Sequence, residues 1–163
     1  MSGAIDSSRL RSDRPRVLLI GEGDHVAAAL QLAHSLHRDV AANWQQLVLL
    51  GSETFSFRAR PSTILVEGMP AGVIACAPSL EEWGIASRLA SPSGLPGCYD
   101  GAVADLAIEW LASLRPPALN QLQIVVRASS INAALEAAAG RSGVPLLISP
   151  MLDGSSIALP PRR

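Results

Sequence analysis

The 163-residue chain is short of the features that most often announce a function. It has two cysteines, Cys76 and Cys98, with no Cys-x-x-Cys spacing and no histidine cluster beside them, which leaves no metal or iron–sulfur site to propose from spacing. Buried free thiols in a reducing compartment are the expectation. Charged residues are scarce at 17%, and a formal net charge of -1 supplies no field to draw nucleic acid or an anionic lipid surface. Neither a nucleic-acid nor a membrane partner is expected. Long hydrophobic runs are missing too: the first, residues 17–20, is too short for a signal-peptide core or a membrane span, so a cytoplasmic location follows.

What the chain does have is apolar aliphatic sequence, 48% hydrophobic overall, at a length that buries roughly 68–70% of the unfolded surface in one domain. So apolar a composition points to surface hidden against a partner, and a homo-oligomer is one expectation. Residues 1–14, rich in Ser and Arg without hydrophobic periodicity, read as a disordered lead-in, and residues 151–163 as an irregular tail. The domain then spans residues 15–150.

Within it, apolar β-rich runs alternate with helical periodicity. Residues 17–20 predict a strand. Residues 24–38 predict a helix, with Val26, Leu30 and Ala33 at three-to-four spacing and Asp24 as its cap. Residues 47–50 form a second strand stopped by Gly51, and residues 51–61 an extended loop. Residues 63–66 and 72–76 flank Glu67-Gly68-Met69-Pro70-Ala71, a turn between two strands of a short hairpin. Residues 78–83 predict one or two helical turns and 85–90 a further short strand. The clearest helix has Val103, Leu106, Ala107, Trp110, Leu111 and Leu114 on one stripe, ending before Pro116-Pro117. A strand over 122–126, a helix over 130–140 begun by a Ser cap and closed by Gly140, and a strand over 144–148 complete the pattern. Strands separated by such helices mean βαβ units. The expectation is an α/β three-layer αβα sandwich with a mostly parallel sheet of about five strands and an additional short β hairpin. Ligands of such sheets sit beyond the carboxyl ends of the strands, where strand order reverses.

At that end the first strand runs into Gly21-Glu22-Gly23-Asp24-His25, a Gly-x-Gly turn at a helix start, where backbone amides can face a phosphate. Position 26, where the dinucleotide fingerprint wants a third small residue, holds Val26.

Three stretches, Leu18-Leu19-Ile20-Gly21-Glu22-Gly23, residues 47–53 and residues 94–106, resemble the NAD-binding module of ferredoxin reductase-like flavoenzymes, most of all the electron-transfer subunit of dihydroorotate dehydrogenase and its relatives. The resemblance implies a Rossmann-like NAD-binding domain working in electron transfer with a flavoprotein partner. It breaks at the motifs. The third glycine of the family's first turn is replaced by His25, and a family Cys-Gly-Pro by residues 125–130, with Arg127 where cysteine is expected. The tail carries no cysteine for a cluster loop, and the sequence before Val17 has no room for a flavin barrel.

The implied function is a degenerate NAD(P)-binding-like domain, a pseudoenzyme acting as a binding or accessory protein. It would hold no cofactor tightly, and NAD(P)H only weakly. The alternative is a half-module that passes electrons from NAD(P)H to a flavin on a partner chain. Candidate nucleotide contacts are Gly21, Gly23, Asp24, His25, Ser52, Arg58, Arg60, Ser93, Gly94 and Arg127. Several have a plain structural reading beside the functional one. Gly21 and Gly23 also make a tight turn, His25 a solvated helix start, Ser93 and Gly94 a turn before the helix, and Arg58 and Arg60 a loop packed through Phe55 and Phe57. His34 and His37, three apart, lack a third metal ligand.

Overall fold

The computed structural model describes residues 9–130 and 132–148. Strand β1 (Arg16–Glu22) lies inside a six-stranded sheet, between β2 (Gln45–Gly51) and β7 (Leu122–Arg127). Beyond β2 come β5 (Ala86–Ser91) and the two-residue β6 (Tyr99–Asp100); beyond β7 comes β8 (Leu146–Ile148). The spatial order is β6-β5-β2-β1-β7-β8, and every pair is parallel.

Parallel strands covered on both faces read as continuous apolar runs, as residues 17–20 and 47–50 do, and residues 122–126 do so with Gln123 as the one polar interruption. Alternate side chains feed two separate cores. Leu18, Ile20, Leu47, Leu49, Ile124 and Val126 pack against α3 (Val103–Ser113) and α5 (Ala133–Ser142). Val17, Leu19, Val48, Leu50 and Val125 pack against α1 (Val26–Arg38) and α2 (Pro78–Glu82). The three-layer α/β architecture follows from that alternation, with a sixth strand, β6, added to the five expected. Among the described residues no helix is long and apolar enough to cross a membrane.

The hairpin is present but displaced. Its strands are β3 (Arg60–Pro61) and β4 (Ala75–Cys76), antiparallel, and residues 63–66 are not a strand. Side chains occupy the groups that a ladder would need: Glu81 accepts from the Thr63 amide at 2.7 Å and from its hydroxyl at 2.8 Å, and Arg88 donates to the Ile64 carbonyl at 2.6 Å. Helix boundaries shift for similar local reasons. Gly23–His25 is a single 3-10 turn, so the cap of α1 is His25, not Asp24, and no side chain caps it. Asn132, not Ser130, caps α5 by accepting from the Leu135 amide at 3.0 Å, and the helix runs through Gly140 to a left-handed Gly143 with φ 71°. Pro116-Pro117 does more than end α3, since the pair opens a one-turn helix, α4 (Pro116–Leu119), where proline suits the first position.

Of the lead-in expected to be disordered through residue 14, residues 1–8 lie outside the described residues, as does the tail expected to be irregular, 151–163. Residues 9–14 are docked. Leu10 is buried, Gln123 accepts from the Arg11 amide at 3.0 Å and donates to the carbonyls of Arg11 and Arg14 at 2.9 and 2.7 Å, and Arg14 donates to the Leu119 and Leu122 carbonyls.

Candidate functional site

Sheet order reverses at β1, which pairs with β2 on one side and β7 on the other, so the loops after these strands flank the ligand-binding end of the fold. The two glycines of the first turn do different jobs. A Cβ on Gly21 would come within 2.5 Å of the Ala29 Cβ, so this glycine exists to let α1 lie close on β1. Gly23 has φ 59° and nothing among the described residues within 4 Å of where its Cβ would be, which leaves space beside the turn, while its carbonyl accepts from the Val26 amide.

Gly23 borders a cleft of about 380 Å³ at the carboxyl ends of β1, β2 and β5. Ser52, Glu53 and Thr54 line one wall, and Gly101 and Ala102 bring in the start of α3. No side chain caps α3 at Ala102, so its first amides keep the partial positive charge of a helix start toward that wall. Gly51 makes this approach possible, because a Cβ there would lie 2.6 Å from the Val103 Cβ. Buried Ser91 fixes the rim by donating to the Glu53 carbonyl at 3.1 Å and accepting from the Ser93 amide at 3.2 Å. Glu22 and Glu53 put two exposed carboxylates at the mouth, and among the described residues no arginine or lysine lines it.

The candidate residues distribute unevenly around this cleft. Gly23 and Ser52 line it, Gly21 packs behind it, and exposed Asp24 lies within the 3-10 turn. Ser93 and Gly94 sit just past Pro92, which does line it, on an exposed loop. Arg58 is exposed on the excursion after β2, and Arg60 lies in β3 opposite Cys76, on a separate groove of about 220 Å³ with Ile74 and Gly97. Arg127 ends β7 alongside Gly21 and is 3% exposed; burial lowers its pKa. His25 reaches across the turn, its Nε2 3.2 Å from the Ser129 hydroxyl.

Glu53, Thr54 and Ser129 escaped the sequence reading. An acid after the second strand is where this architecture meets a ribose hydroxyl, so Glu53 had a signal. Ser129 had none, since its partner is 104 residues away.

Other chemistry-bearing groups are structural. Cys76 is buried and Cys98 half-buried, both free, and burial raises both thiol pKa values. Desolvation pushes Glu81 up, but hydrogen bonds from the Thr63 amide and the Ser62 and Thr63 hydroxyls outweigh it and bring the carboxyl to about 2. His34 and His37 pack against Trp83 with their rings tilted by 54° and ring centroids 4.3 and 5.2 Å away, and no cluster of three potential metal ligands exists among the described residues. Compared with protein-family models, curated proteins and solved structures, the chain finds no match.

Proposed function

We propose that the chain is a degenerate nucleotide-binding domain of the NAD(P)-binding type, acting as a binding or accessory module beside a protein partner. The observation that carries this reading is the convergence of the open Gly23 turn, the Ser52-Glu53-Thr54 wall and the uncapped start of α3 on one cleft at the carboxyl end of a parallel sheet. Backbone amides at Gly23 and at the start of α3 suit a phosphate, and Glu53 with the hydroxyls of Ser52 and Thr54 suits a ribose diol.

The carboxylates set the strength of binding. Two acids at the mouth, with no cation lining it among the described residues, oppose a polyphosphate, so affinity is weak, and a 2′-phosphate finds neither Arg58 nor Arg60 on the cleft wall. Thermal unfolding with NADH and NADPH tests this: the melting temperature rises only at millimolar ligand, and less with NADPH. Micromolar binding, together with NADH oxidation when a free flavin is added, would replace this reading with the reductase half-module. No shift with any nucleotide would remove the binding function altogether.

A further inference from the structure

Dinucleotides in doubly wound sheets lie across the point where strand order reverses, one half on each side. Here that point is the boundary between β1 and β7, and the cleft described above lies wholly on the β2 side of it. The boundary itself is occupied by the chain's own side chains. His25, from the turn after β1, meets Ser129, from the turn after β7, at 3.2 Å, and Arg127, at the end of β7 opposite Gly21, is buried. An imidazole tied to the opposite loop stands where the second half of a dinucleotide would have to pass.

From this contact and the one-sided cleft we infer that the site is built for a single nucleotide unit, with the His25–Ser129 bridge shutting out the other half of a dinucleotide. A cleft of about 380 Å³ sits at the small end of ligand-site volumes and matches one nucleoside with a phosphate better than two. The bridge is one hydrogen bond between side chains at the surface, so it is a gate that substitution can open without touching the core.

The inference rests on the nucleotide-binding reading and is tested on the full chain with ADP and NADH, which share the adenosine diphosphate half. In the unsubstituted protein the two bind with equal affinity within about threefold, and the nicotinamide fluorescence of NADH keeps its free-solution value, because that half stays in water. His25→Ala strengthens NADH binding by about tenfold and shifts its emission, while ADP binding stays within about twofold; tenfold is about 1.4 kcal/mol, in the range of one lost steric and hydrogen-bonding barrier. Ser129→Ala, at an exposed hydroxyl remote from both cores, gives a smaller gain in the same direction and carries the test should His25→Ala fail to fold. NADH binding tenfold tighter than ADP in the unsubstituted chain overturns the inference while leaving the nucleotide-binding reading intact. So does a gain for neither variant. Failure of both ADP and NADH to bind any of the three proteins overturns the reading beneath it as well.

Discussion

Gly21 on β1 and Ala29 on α1 approach so closely that a Cβ built on the glycine would lie 2.5 Å from the alanine Cβ. The same added atom would be 3.2 Å from the His25 carbonyl and 3.4 Å from Leu50, so the first strand, the first helix and the turn between them meet at one hydrogen atom.

Gly21→Ala therefore overpacks the junction and destabilises by about 1–3 kcal/mol. Ala29→Gly costs about 1 kcal/mol through helix propensity alone. The double variant relieves the clash, so in urea unfolding its loss is smaller than the sum of the two single losses. Strict additivity would show that the two positions do not press on each other.

A second prediction concerns Glu81, which ties the 62–64 segment to α2. Its carboxyl pKa falls to about 2 in the folded chain, below the ordinary glutamate value of about 4.3. A depressed folded pKa stabilises above the unfolded value and loses that contribution as pH falls through the folded one. Glu81→Gln is therefore less stable than the unsubstituted chain at pH 7, by about 1 kcal/mol after solvent screening at a partly exposed site is allowed for. The gap narrows from about pH 4.5 toward pH 2, and melting curves across that range check it; a gap independent of pH would remove the carboxylate from the argument.

The sheet was legible in the sequence because residues 17–20 and 47–50 are apolar on both alternating faces and residues 122–126 are so but for Gln123, and α3 because its stripe of Val103, Leu106, Ala107, Trp110 and Leu111 is buried as its spacing implies. What stayed hidden depends on contacts far apart in the chain. Thr63-Ile64-Leu65-Val66 has strand composition, yet Glu81 and Arg88, 18 and 24 residues downstream of their partners, capture its polar groups. Residues 9–14 look unstructured until Gln123 accepts and donates to their backbone. At the site, the glycine turn and Ser52 could be read from their place after strands, whereas the removal of Arg60 from the cleft follows from the β3–β4 pairing, which composition does not encode.

The strap formed by residues 9–14 yields a third prediction. Gln123 is 5% exposed, and its amide holds the backbone of Arg11 and Arg14 with three hydrogen bonds. Gln123→Ala leaves the Arg11 amide and the Arg14 carbonyl without the Gln123 amide, while the Arg11 carbonyl keeps the Arg14 amide, and costs about 1–3 kcal/mol if the freed groups remain buried. Release of the strap relieves that cost and shows as faster tryptic cleavage after Arg9 and Arg11 with little loss of global stability. Unchanged cleavage alongside unchanged stability would mean that the strap is held by Leu10 and Arg14 alone.

The last prediction separates folding from binding at the open glycine. Gly23 has φ 59°, a region that asparagine tolerates and a β-branched residue does not. Space around the position is free, so the folded chain opposes a side chain here through backbone strain and not through a clash. Gly23→Asn keeps a melting temperature within a few degrees of the unsubstituted chain, since about 1 kcal/mol of strain corresponds to roughly 2–4 °C at this size. Gly23→Val is distinctly less stable, by about 1–3 kcal/mol. A ligand that lays its phosphate on the Gly23 amide meets the new side chain in both, so ADP binding falls by about tenfold or more even in the well-folded asparagine variant. Gly23→Asn with native stability and native ADP affinity would move the phosphate away from the turn and onto the start of α3, which lines the same cleft and has no side-chain cap.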